Sequence, residues 1–319
     1  MSHINSQLIK ALKVRTPEDD TTVNMLMDIL PIRKEAAYRR LRGEIEFTLE
    51  EVEIICKTFN LSLDFLQGNH KDGLLAFHLR SVFDKNPLKE YFRMMKDIVV
   101  NINNMLDLDP DTFAYRAYRA MPSDFFLKYD SISKVYIYIL FYQLYPDEMP
   151  KVLLHDMYIP NNVFEINRKV SDVLQRVNAT IILDKHIFED FTSIVKYLQY
   201  MGMISETDIL EIKNDLYLMI NEMEQCASTG YTIQGKSVDL YISNVSFDCS
   251  YAYMEGAGKK SCAISLYCID YLSCLNPEIA ENQKTWIKSL IRFATQISVS
   301  GELQRNQYFA EQRRYVDAM

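Results

Sequence analysis

Five cations crowd one short segment: Arg33, Lys34, Arg39, Arg40 and Arg42, opposed there only by Glu35. Guanidinium and ammonium groups at this density suit the neutralisation of a polyanion's phosphates. The sequence around them is not basic. Residues 1–68 hold nine Lys or Arg against eleven Asp or Glu, and the whole chain carries a net charge of −8. A general attraction to nucleic acid is thereby excluded. Any such contact must come from this one patch and must weaken steeply with salt. A run of charge is usually just a solvated helix face, so its meaning depends on the elements that carry it.

Those elements are well punctuated. Asp20 to Thr22 offers capping side chains, and Val23, Leu26, Met27 and Leu30 follow at the spacing of one helix face. Pro31 ends that helix, because its ring disfavours helical geometry at the preceding residue. A second helix follows, with Ala36, Ala37 and Leu41 on a small inner side and Gly43 as its stop. Thr48 and Glu51 form a capping box, with Phe47 stapled onto Val52. Val52, Ile55, Cys56 and Phe59 give the next helix its inner face, Asn60 is a left-handed stop, and Ser62 caps a last turn carrying Leu63 and Leu66. Ile4, Leu8, Ile9 and Leu12 supply a first helix that packs on the rest. The cations therefore sit on the second helix of a tight helix-turn-helix. A helix entering the major groove needs polar side chains at its start for base edges and cations at its flanks for phosphates.

ILPIRKEAAYRRLRGE and FTLEEVEIICKTFNLSLDFL resemble the turn, recognition helix and following helices of the Cro/C1-type helix-turn-helix family, the lambda-repressor-like or xenobiotic-response-element class. The resemblance covers residues 1–68 and implies that the second helix of the pair lies in the major groove of double-stranded DNA. By position it makes Lys34, Glu35, Tyr38 and Arg39 base-facing, and Arg33, Arg40 and Arg42 phosphate-facing. Four departures stand out. Met27 replaces a small residue, Pro31 replaces the turn glycine and Arg33 replaces the capping Ser or Thr, while Arg40 falls at a commonly apolar position. The chain as a whole is similar to a group of Bacteroidetes regulators.

The rest of the chain reads as one larger domain, 74–319, after a polar linker at Gln67–Gly73. Asn86-Pro87 opens a helix whose Leu88, Phe92, Met95, Val99, Ile102 and Leu106 form a short heptad seam, suited to a homodimer or to an ordinary core. From Asp109 to Pro160 the chain is aromatic and includes a buried helix, VYIYILFYQLYP, whose tyrosines line either a ligand pocket or a core. Helices follow at Asn162–Arg176, after a cap at Asp184, and after a Ser205/Asp208 capping box. Alternation at Val238, Leu240 and Ile242, then at Tyr251 and Tyr253, and a Gly256-Ala-Gly258 turn predict a small antiparallel sheet near 236–273. Asn276-Pro277 opens a further helix, and a last polar helix carries Arg305, Arg313 and Arg314. The fold class expected is mainly α: an N-terminal helix-turn-helix bundle and a larger helical C-terminal domain with a small antiparallel sheet.

Enzyme chemistry is not expected. His3, His70, His78, His155 and His186 are scattered and no nucleophile stands in a diagnostic setting. Six cysteines form no CxxC and no metal spacing, so no metal and no cofactor are expected. The longest apolar run, Val135–Tyr142, is too short to span a bilayer, which points to a cytoplasmic protein with no membrane contact. The reading is a transcriptional regulator that binds operator DNA as a homodimer, its C-terminal domain dimerising or sensing a small-molecule or peptide effector. The alternative is a protein- or peptide-binding module with a degenerate helix-turn-helix.

Overall fold

The computed structural model describes residues 2–15, 19–59, 61, 77–79, 86–145, 147, 149, 152–266 and 270–319. The chain divides into two compact units, Met1–Ala76 and Phe77–Met319. The turn expected at Ser62, Leu63 and Leu66, the stop at Asn60 and the linker at Gln67–Gly73 lie outside the described residues.

Among its described residues the first unit holds four helices: α1 (His3–Arg15), α2 (Asp19–Ile29), α3 (Lys34–Leu41) and α4 (Leu49–Phe59). They close on one apolar cluster that includes Leu8, Leu12, Val23, Leu26, Ala37, Leu41, Phe47, Val52 and Ile55. Met27, expected inside, is 39% exposed, and Ile29 packs on the cluster instead. Asn5 of α1 is buried, and its side-chain oxygen accepts the Phe47 amide at 2.9 Å, which ties α1 to the start of α4.

The second unit corrects the expected fold class. It is built on an eight-stranded mixed sheet, not a small antiparallel one. The strands are β1 (His78–Leu79), β2 (Phe113–Tyr118), β3 (Asn178–Asp184), β4 (Val238–Ser243), β5 (Tyr251–Gly256), β6 (Lys259–Leu266), β7 (Asp270–Cys274) and β8 (Ala294–Gln296). Their order is β1-β7-β6-β5-β2-β3-β4-β8. The β2–β3 and β3–β4 pairs are parallel, and β2–β5, β5–β6, β6–β7, β7–β1 and β4–β8 are antiparallel. The sheet therefore begins well before residue 236, and β2 and β3 lie in its interior.

Parallel neighbours need long crossovers, and helices supply them. Between β2 and β3 run α6 (Ser123–Phe126), α7 (Asp130–Leu144) and α8 (Asn161–Gln175), after α5 (Pro87–Leu108) has led into β2. Between β3 and β4 run α9 (Ile187–Tyr200) and α10 (Glu206–Thr229). These helices, with α12 (Glu302–Asp317), join Ala114, Ile181, Leu183 and Leu240 of the sheet in one large core. A second cluster joins Ala117, Ile182, Tyr253, Cys262 and Cys274 to Ala280, Ile287 and Leu290 of α11 (Pro277–Leu290). The Gln283 side-chain amide of α11 donates to the carbonyls of Ala252 and Ala263 at 2.8 and 2.7 Å.

Several local devices act as the sequence signals. Asn86 caps α5, Ser205 and Asp208 close a capping box on α10, and Asn276 caps α11. Ala257 and Gly258, both at positive φ, turn β5 into β6 as a two-residue type I′ hairpin turn requires. Other signals misled. Asp184 ends β3 instead of capping a helix; its carboxylate accepts the His186 amide at 2.9 Å, and His186 is the residue that precedes α9. The α5 seam is spent within the unit: Met95, Ile102 and Leu106 are buried in the large core, with Leu88, Phe92 and Val99 packed against it. No helix among the described residues is long and apolar enough to cross a membrane.

One buried polar group holds β2 against the helices. Arg116 points into the core at 2% exposure and pairs with Asp124, 1% exposed, at the start of α6. The same carboxylate accepts the Tyr118 hydroxyl, and the Asp124 carbonyl accepts Ser171 at 2.5 Å and Gln175 at 2.7 Å from α8. Burial, then the Asp124 charge, push the Tyr118 phenol well above its ordinary range, so it stays a donor. Asp124→Ala strands a buried guanidinium and should cost about 3–5 kcal/mol. Urea unfolding of the full chain, followed by fluorescence of its single tryptophan, Trp286, should show that loss as a lower midpoint.

Candidate nucleic-acid interface

Ala37 and Leu41, one turn apart on α3, point into the core of the first unit. Helical geometry then fixes the rest. Glu35, Arg39 and Arg42 project away from the core, Lys34 and Tyr38 lie on one flank, and Arg40 lies on the other. Burial agrees: Arg33, Lys34, Glu35, Arg39 and Arg42 are exposed and Tyr38 is half-buried. The Lys34 ammonium sits 5.8 Å from the centre of the Tyr38 ring, which holds the two as a pair at the front of the helix.

Both ends of α3 are sharply defined. Arg33 is its N-cap in extended geometry, and no side chain caps it. At the other end Gly43 takes φ +75°. The Gly43 amide bonds the Arg40 carbonyl and the Glu44 amide bonds the Arg39 carbonyl, both at 2.9 Å, which is a Schellman stop. The stop brings Glu44 back beside the exposed cations, 2.9 Å from Arg42 and 3.4 Å from Arg39. Exposed pairs of this kind are worth about 0–1 kcal/mol. A phosphate oxygen can therefore take the place of the Glu44 carboxylate at small cost.

Arg40 behaves differently from the other four cations. Its guanidinium forms a fork onto Glu51 of α4, with Nε and Nη2 donating at 2.9 and 2.8 Å. The two side chains are only 13% and 12% exposed. Glu51 also accepts the Thr48 amide at 2.9 Å, while the Thr48 hydroxyl accepts the Glu51 amide at 3.2 Å. One carboxylate thus caps α4 and anchors α3. Arg40, expected on the phosphates, is engaged inside the fold, and the phosphate-facing candidates left on the surface are Arg33 and Arg42. The partners lie eleven residues apart on different helices, so no local pattern in the sequence links them.

The departures from the Cro/C1 pattern find room here. Met27 sits at the surface, and Arg40 meets a carboxylate where an apolar neighbour is usual. Residues 30 to 33 all have negative φ, so the turn between α2 and α3 does not need the glycine that Pro31 replaces. Among the described residues no group of three His, Cys, Asp or Glu is placed to hold a metal ion.

Arg40→Ala should remove about 2 kcal/mol of local stability, the scale of hydrogen bonds to charged groups. Native-state hydrogen exchange at the α4 amides Ile55 and Cys56 should then speed up about thirtyfold. Unchanged exchange would show that the fork carries no load.

Residues 4–79 match the family model described as the BetR domain, a helix-turn-helix-like DNA-binding family. No curated protein and no solved structure matches the chain. The match covers nearly all of the first unit and stops just inside the second. It supports a DNA-binding, transcription-regulating role in broad terms and does not extend to the Cro/C1 type.

Proposed function

We propose that this chain is a non-catalytic transcriptional regulator whose α3 enters the major groove of operator DNA. The observation that carries the reading is the split among its cations. Arg40 is held inside by Glu51, while Arg33, Lys34, Arg39 and Arg42 stay exposed on an acidic protein. Lys34, Glu35, Tyr38 and Arg39 face base edges in this reading. Arginine pairs in bidentate fashion with guanine, and glutamate accepts from the cytosine amine. Arg33 and Arg42, at the two ends of α3, hold phosphates and set the docking angle.

One such module spans half a site, so the regulator binds as a homodimer on a two-fold operator. The second unit supplies that pairing, or senses an effector. An open cavity of about 640 Å³ lined by Ser131, Lys134, His155, Tyr158, Phe164 and Asp215 offers a place for a small molecule or peptide.

Mobility shifts of the purified chain against fragments of its own genome test this reading. Binding should appear at low salt. Arg42→Ala should weaken it on every fragment and flatten the log K against log salt slope by about 0.9, one phosphate's share. Arg39→Ala should instead cost about 1–3 kcal/mol on the preferred fragment and relax its selectivity. Absence of binding at low salt would sink the proposal.

A further inference from the structure

Cys262 and Cys274 are direct partners in the antiparallel β6–β7 ladder. Residues opposed in this way carry their side chains on the same face, with Cβ atoms about 4.5–5.5 Å apart. Their Cα atoms are about 4.5–5.5 Å apart, inside the roughly 4.4–6.8 Å span of disulfides. Both are reduced thiols in the structure, each 3% exposed, in the cluster that α11 covers. The two side chains are close enough to hydrogen-bond each other. Cys274 closes β7, and its sulfur accepts the Asn276 amide at 3.4 Å. The next residue, Leu275, is 59% exposed.

We infer that Cys262 and Cys274 form an oxidisable dithiol that closes to a cross-strand disulfide with a peroxide as the two-electron oxidant. The Cys274 thiolate attacks one peroxide oxygen, the O–O bond breaks, and the departing hydroxide takes a proton to become water. The product is a sulfenic acid on Cys274. Cys262 then gives up its proton and attacks the Cys274 sulfur. The S–O bond breaks, the departing hydroxide takes that proton, and a second water leaves. Two thiols are oxidised and one peroxide is reduced to two waters. The order of attack follows from the surroundings. Burial, with neighbouring Cys274 adding to it, pushes the Cys262 thiol up to about 12, which disfavours it as the first nucleophile and leaves it the resolving thiol, losing its proton only as it attacks. The amide of Asn276 donates to the Cys274 sulfur. The site does not depend on the DNA-binding reading. Its physical effect is to staple β7 to β6, next to the sheet edge where β1 pairs.

The experiment uses the full reduced chain and hydrogen peroxide in small molar excess. Remaining thiols are alkylated under denaturing conditions and peptides are mapped by mass spectrometry without reduction. Two of the six cysteines should escape alkylation, in a linked Cys262–Cys274 species lighter by two hydrogens, and dithiothreitol should restore both. In Cys262→Ala the linkage should vanish and Cys274 should instead accumulate the trappable sulfenic acid. Full alkylation of both residues after peroxide, or a disulfide joining either one to a different cysteine, would overturn the inference. The wild-type map decides the matter even if a variant fails to fold.

Discussion

A single carboxylate, that of Glu51, is the constraint on which the reading of the first unit rests. It closes the capping box of α4 and receives the fork of Arg40 from α3. A helix of eight residues has little intrinsic stability in water. Its position is set by what it is tied to: Ala37 and Leu41 in the core, the Schellman stop at Gly43, and Glu51 on the flank. Because Glu51 claims one arginine, the other cations are left to the surface in a defined orientation. A recognition helix needs a fixed axis before its exposed side chains can have fixed addresses.

The second unit follows a different logic. Its interior parallel strands, β2 and β3, are covered by helices on one side and, around Ala117 and Ile182, by α11 on the other. Strands buried on both faces lose the polar alternation that marks a half-exposed strand. What holds the layers in place is polar as well as apolar. Arg116, Asp124 and Tyr118 join β2 to α6, and Ser171 and Gln175 carry the network on to α8. Burying an ion pair in this way adds less to stability than its geometry suggests, but it penalises any arrangement of β2 that leaves the charge unpartnered.

The same contrast explains what could be read from the sequence. Over the described residues the helices of the first unit were legible, apart from the exposed Met27 and the engaged Arg40, because a capping box, a proline, a glycine stop and a 3.6-residue apolar period are local signals. In the second unit the caps at Asn86, Ser205 and Asn276 and the turn at Ala257-Gly258 were legible for the same reason. The parallel strands of the sheet were not. FAYRAY places Arg116 in the core, and NATIILD is a short apolar run that cannot be told from a helix start by periodicity. The parallel pairing of β2, β3 and β4 joins residues some sixty apart in sequence, and nothing local records it. The site residues on α3 were named from the resemblance to the Cro/C1 pattern, whereas the engagement of Arg40 required a partner on another helix.

The most direct test of the account is selection of DNA fragments by the full-length chain at low salt, followed by sequencing. The account requires a shared motif in two inverted half-sites, their centres one helical turn of DNA, about 34–36 Å, or a multiple of it apart. It also requires that motif to change when Arg39 is replaced. Recovery of unrelated fragments with no common sequence, or of none, would contradict it.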